Sequence, residues 1–197
     1  MGTISVAIPA TETPWRLPSR GRVGMFSLIA AESAIFTIFV VAYIFYIGKS
    51  LSGPTPQVLH IPVFNTICLL SSSLSIHLAV SALRAGKSGT FKSFWFLTLA
   101  LGAIFLIGTG REWYHLIYNE GLTISTNLFG TTYYSLVGLH AFHVTAGLVG
   151  LSIVMALALA HKMNRDHAER VDVLSLYWHF VDVVWVVVFT VVYIVGK

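Results

Sequence analysis

Tyr177-Trp178-His179-Phe180-Val181-Asp182-Val183-Val184-Trp185 lies inside the last long apolar stretch of the chain. A charged side chain at bilayer depth costs on the order of 2.5–3.5 kcal/mol on insertion scales, so such residues face protein or water and have a task there. The run therefore predicts a membrane helix whose Asp182 and His179 point into a bundle. At helical spacing Trp178, Asp182 and Trp185 share one face, with His179 beside them.

The rest of the chain has the same character. Of its 197 residues 56% are hydrophobic and 10% charged, and the mean hydropathy is +0.79. A soluble domain carries nearer 25% charge. The net charge of +4 and the pI near 9.3 do not indicate nucleic acid. The basic residues are dispersed in short loops and form no aromatic-interleaved stripe. The single cysteine, Cys68, cannot form an intramolecular disulfide.

About 20 apolar residues cross a bilayer, and five stretches qualify, at about 24–47, 60–83, 91–110, 131–160 and 173–195, the third with room to continue as helix through Tyr118. Residues 1–22 read as a polar, Pro-bearing arm without the pattern of a cleaved leader, and 23–197 as one transmembrane domain. The expected fold is an all-α integral membrane bundle of five helices. With the N-terminus inside, the inner side holds Arg16, Arg20, Arg22, Arg84, Lys87, Lys92, Lys162, Arg165 and Arg170, and the outer side only Lys49, Arg111 and Lys197. That bias predicts a cytoplasmic N-terminus and an external C-terminus.

The polar residues at depth fall into stripes. Glu32 is the only charge well inside the first span. Ser73, His77 and Ser81 recur every four residues on the second, and the third ends in Arg111-Glu112-Trp113-Tyr114-His115. His140 and His143 stand three apart on the fourth, with Gly147 and Gly150 continuing their face as a close helix contact. Counted at 1.5 Å per residue, Glu32 and Asp182 each lie on the order of 12 Å inside their spans. Helices one, four and five are thus expected to share one polar interior around Glu32, His143, His179 and Asp182. His77, Glu112, His115 and His140 are secondary members of it.

None of these patterns is a catalytic or metal-binding motif. His140 and His143 on one helix cannot supply both axial ligands of one haem, and read more simply as satisfied packing residues. Glu112-x-x-His115 is half of a di-iron motif whose second half is missing. There is no Cys-x-x-Cys-His and no phosphate loop. The chain reads as a subunit docked on something else, with no catalytic residue and no metal of its own, or as a small transporter. A proton relay through Glu32, His143 and Asp182 would suit the latter, but no repeat or broken helix pair supports it. A purely structural scaffold is the third class.

The run Tyr177–Trp185 resembles the signature of the last helix of subunit III of haem-copper terminal oxidases. Gly138-Leu139-His140-Ala141-Phe142-His143-Val144-Thr145-Ala146-Gly147 resembles that family's double-histidine segment, with Ala141 where a glycine is usual. Arg22-Val23-Gly24-Met25 with Glu32-Ser33 is similar to the start of its acid-bearing helix, although Ser33-Ala34-Ile35-Phe36 lacks the paired aromatics often found there. Ile61–Thr66 and Glu112–His115 follow in the family's order. The resemblance spans about Arg22 to Gly196, with five spans where the mitochondrial-type subunit has seven, as in short bacterial forms.

The resemblance implies a non-catalytic subunit of the bacterial inner membrane that packs on oxidase subunit I, in a complex with subunit II. Haem and copper belong to those partners, and this subunit binds phospholipid and supports proton uptake. Glu32 corresponds to the family's buried acid, and His143, His179 and Asp182 to its remaining polar interior. Arg22, Arg165 and Arg170 are candidates for lipid headgroups. A cytochrome c oxidase is the first expectation. A quinol oxidase, or a subunit-III-like protein linked to nitric oxide reduction, is the alternative.

Overall fold

The computed structural model describes residues 19–50 and 52–196. The described residues form five long helices: α1 Arg20–Tyr46, α2 Val63–Arg84, α3 Ser88–Tyr118, α4 Leu128–Leu159 and α5 Ala168–Phe189, the last continued by a π-helical turn over Thr190–Val195. All five are long and apolar enough to cross a membrane. Most of residues 1–22 lies outside the described part, but its last three residues already belong to α1.

The boundaries differ from the sequence reading where the chain supplies its own caps. Helix α4 starts at Leu128 because Asn127 accepts a hydrogen bond from the Gly130 amide at 2.8 Å, an N-cap that satisfies one orphan donor of the first turn. The Asn127 amide also donates to the carbonyls of Ser52 and Pro54, at 3.0 Å each, so one residue both starts a helix and holds the loop after α1. Helix α3 runs on to Tyr118, as its sequence allows. At the end of α2 the Gly86 amide returns to Leu83 and the Lys87 amide to Ala82, closing a Schellman turn that places Gly86 at φ 71°. Helix α4 ends the same way through His161, at φ 56°.

Packing is uneven. Helix α2 lies along α3 and against α5, α4 touches α3, α5 and α1, and α5 is embraced by α1, α2 and α4. Helix α1 is peripheral: only Phe36 and Tyr43 are buried, and its outer side exposes Phe26, Ile38, Val41 and Phe45.

One indole sets the spacing in the middle of the bundle. Trp178 of α5 is fully buried, and its ring lies between Gly102 of α3 and Gly147 of α4. A β-carbon on either glycine would come within 2.9 Å and 2.8 Å of that ring. The two glycines therefore supply room for a large side chain where helices α3, α4 and α5 meet. Nearby, the Trp95 indole donates to the Leu151 carbonyl at 2.8 Å, fastening α3 to α4. Gly150 lies against Leu174, so the expected close contact along Gly147 and Gly150 is made, with α5 as the partner.

Candidate functional site: two polar pairs on opposite sides of helix α5

The expected single polar interior is divided. Glu32 and His143 meet between α1 and α4, the His143 Nε2 lying 3.1 Å from Glu32 Oε2. Asp182 and His179 turn the other way, to α2, where the Ser73 hydroxyl donates to Asp182 Oδ2 at 2.6 Å and lies 2.8 Å from His179 Nδ1. A helix presents different sides 100° apart at each residue, so a five-helix core around α5 has two polar sides.

The first pair shares a proton. His143 Nδ1 is 2.7 Å from the Leu139 carbonyl, which can only accept, so Nδ1 carries the hydrogen. The bond to Glu32 then needs one proton between Nε2 and the carboxylate. The pair is either imidazolium with carboxylate or imidazole with carboxylic acid, and it is neutral in both forms. Tyr177 of α5 donates to the His143 carbonyl at 3.2 Å, and Phe36 stacks on the His143 ring at 4.9 Å between centroids. His143 is buried and the Glu32 side chain is 22% exposed, so the acid stands at the edge of the bundle, near the midpoint of α1.

The second pair belongs to a continuous seam between the antiparallel α2 and α5. The Trp185 indole donates to Thr66 at 3.1 Å and the Trp178 indole to Ser72 at 2.8 Å. Ser73 serves both Asp182 and His179. Because its single hydroxyl proton goes to Asp182, the His179 contact has Nδ1–H as donor. At the basic end Asp172 binds Arg84 of α2 at 2.7 Å and also Arg22 of α1. Apart from Tyr177, which reaches α4, the polar side chains of the Tyr177–Trp185 run are thus spent on α2, a helix outside the expected set of three. Asp182 is 3% exposed, and its second oxygen, Oδ1, has no partner among the described residues.

Other expected members are placed differently. His77 is exposed, because the buried side of α2 runs through Ser72, Ser75, Ile76, Ala79 and Leu83. The four-residue stripe Ser73, His77, Ser81 winds away from that side to the outside. His115 is exposed as well, its ring 6.0 Å from that of His60. Glu112 faces inward and accepts from Tyr193 at 2.9 Å, a contact made from the π-helical turn. His140 is fully buried, with neither ring nitrogen partnered among the described residues, between Trp185 at 5.0 Å and Phe105 at 5.7 Å. It packs as the simpler reading had it, but is not satisfied. Arg22 reaches Asp172, Arg165 donates to the Ala85 carbonyl at 3.0 Å, and Arg170 is exposed. Among the described residues no three of His, Cys, Asp and Glu gather as a metal ligand set.

Sequence reasoning passed over Ser72, Ser75, Thr66, Asp172, Tyr193 and Gly102. Ser71-Ser72-Ser73 offers a hydroxyl to every side of the helix, so spacing alone could not pick the inward one. Asp172 sat in what read as a charged loop, and Tyr193 in an unbroken apolar run. Trp178 was the available signal for Gly102, since so large a buried ring needs a small residue opposite.

Fold and site together define a multi-pass helical membrane protein whose ionisable groups at depth tie helix to helix. The family model for cytochrome c oxidase subunit III matches residues 20–197, and this chain belongs to that family, as a subunit III of the haem-copper oxidases and a multi-pass bacterial membrane protein. It is 39% identical over 176 residues to cytochrome c oxidase subunit 3 of Synechocystis, covering 87% of this chain and 74% of that protein. It is 30% identical over 199 residues to a probable cytochrome c oxidase subunit 3 of Mycobacterium leprae, covering 99% and 98% of the two. Cytochrome bo(3) ubiquinol oxidase subunit 3 of Pseudomonas aeruginosa is 32% identical over 176 residues, covering 88% and 84%. A subunit III is by definition one member of an oxidase complex.

Proposed function

We propose that this chain is the non-catalytic third subunit of a bacterial cytochrome c oxidase of aerobic respiration. It packs on subunit I in a complex with subunit II, holds phospholipid, and supports proton uptake and the lifetime of the proton-pumping assembly. Its N-terminus lies on the cytoplasmic side, which puts the basic end of the bundle inside. Arg165 and Arg170, and Arg22 where Asp172 leaves it free, meet lipid phosphates there. Haem and copper stay with the partner subunits. The observation that carries this reading is the Glu32–His143 pair, a neutral, proton-sharing unit at mid-depth and at the edge of the bundle. The proton between them can pass from imidazole to carboxylate without changing the net charge of the pair in lipid.

Purification in mild detergent through a tag on this chain, followed by an optical spectrum and identification of the bound subunits, tests the assignment. Haem-bearing subunit I should copurify, and its absence would overturn the reading. Glu32→Gln then tests the acid, because glutamine keeps the shape and loses the proton. The variant oxidase should lose turnover or proton stoichiometry with time. Unchanged turnover, stoichiometry and lifetime would make Glu32 structural only. A quinol oxidase is the second reading, on the strength of the Pseudomonas aeruginosa relative. Oxidation of reduced cytochrome c against oxidation of quinol by the purified complex decides between them.

A further inference from the structure

Exposed hydroxyls within the spans of α1, α3, α4 and α5 are almost all closed on their own helix. Ser27, Ser33 and Thr37 of α1, Ser93 of α3, Thr145 of α4 and Thr190 of α5 each donate to the carbonyl four residues earlier. Ser152 of α4 is the exception at depth, and toward the helix ends the exposed Tyr46 of α1 and Ser88, Thr90, Tyr114 and Tyr118 of α3 also lack a hydrogen-bond partner among the described residues. At membrane depth these surfaces therefore offer lipid little free hydrogen-bonding capacity beyond Ser152, as a lipid-facing surface requires.

Helix α2 differs. Its bonded hydroxyls, among them Ser72, Ser73 and Ser75, turn inward. Its outward side exposes Ser71, His77 and Ser81, and none of the three has a hydrogen-bond partner among the described residues. They share that side with Phe64 at 69%, Ile67 at 58% and Leu74 at 63% exposure, so it is a long apolar surface with polar groups set into it. His77 lies seven residues from Arg84, which at 1.5 Å each is roughly 10 Å inside the end of the helix. There neither headgroups nor a snorkelling side chain meet a short imidazole easily. His77 also lies one helical turn from Ser73, so this side borders the buried seam that carries Asp182.

We infer that the outward side of α2, with His77 and Ser81 at its polar centre, is the surface on which a transmembrane helix of the haem-bearing oxidase subunit docks, presenting a hydrogen-bonding side chain at the depth of His77. The inference rests on the proposed oxidase assignment. Lipid cannot satisfy an imidazole at that depth, whereas a helix from a partner can. The surface follows α2 along its length, which suits another membrane-spanning helix. The outward sides of α1 and α4 lack this requirement, being apolar apart from hydroxyls already bonded within their helices and Ser152.

The test uses the whole complex, purified through a tag on this chain from membranes of the native host. A photo-cross-linking residue is placed at Leu74, on the proposed surface, and in a separate preparation at Phe142, on the outward side of α4. Irradiation should join Leu74 to the haem-bearing subunit and leave Phe142 joined to lipid. His77→Leu should lower the haem retained per tagged chain by about threefold to tenfold, the weight of one interhelical hydrogen bond in a membrane, and His77→Gln should restore it. Cross-linking of Leu74 to lipid or to a second copy of this chain would overturn the docking surface, as would haem-subunit cross-links from Phe142 instead. Absence of haem before irradiation is the separate failure of the oxidase assignment, and removes the proposed occupant with it.

Discussion

The Glu32–His143 pair and the α2–α5 seam both place an acid and a histidine near mid-membrane, yet they are built on different terms. The seam is redundant. Trp185, Trp178, Asp182 and His179 each reach a hydroxyl on α2, the indole of Trp178 fills the gap left by two glycines, and Asp172 locks the basic end. The pair is a single bond between a buried histidine and a partly exposed acid on the least buried helix. Redundant, buried bonds hold helices together. On the proposed function, the solitary, accessible bond is the one at which a proton would leave or enter.

The largest expected effect comes from removing the centre of the seam. Trp178→Ala empties the space between Gly102 and Gly147 and removes the indole bond to Ser72, and should cost about 3–5 kcal/mol, measured by denaturant unfolding of the purified complex. Overfilling the same place is the complementary break. Gly147→Leu should cost about 1–3 kcal/mol by forcing the indole aside, and a Gly147→Leu complex as stable as the parent would show that the indole is not held there.

Asp182→Ala should destabilise by about 1–3 kcal/mol, because the Ser73 hydroxyl it leaves behind loses its acceptor on α5. Asp182→Asn keeps an acceptor and should recover most of that loss in the same assay. Glu32→Gln sharpens the contrast. Its effect on unfolding should stay within about 1 kcal/mol, the scale of one hydrogen bond between membrane helices, while sustained turnover falls. If instead Glu32→Gln unfolds the complex and Asp182→Asn slows turnover, the roles of the two regions are reversed.

Arg84→Ala should have the smallest effect, within about 1 kcal/mol. Both arginines are well exposed to solvent, and Asp172 keeps Arg22 as a partner. Raising the salt concentration should shrink even that difference.

Much of the fold was legible because a bilayer imposes one length and one polarity on every crossing segment. The spans, the polar character of the last helix and the inward direction of Asp182 follow from that constraint. The partner of each polar group did not. In a soluble protein, outward residues are polar and mark the inward side by contrast. In lipid both sides are apolar, so Ser73, His77 and Ser81 looked like one stripe although only Ser73 is turned toward the bundle. The caps at Asn127 and Gly86 had local signatures, an Asx residue before an apolar run and a glycine after one. The spacing needed at Trp178 depends on three helices at once.

The sequence by itself determined that the chain crosses a membrane five times, that it carries acids and histidines at depth, and which family's motifs it bears. All of these are set by residue type along one helix and by the cost of leaving charge in lipid. Only the tertiary structure decided that Glu32 pairs with His143 across α1 and α4, while Asp182 and His179 turn their backs on them and close on Ser73. A helix fixes the angle between its own side chains, but which neighbour waits at each angle is set by how large and small residues, Trp178 against Gly102 and Gly147 foremost, let the helices approach.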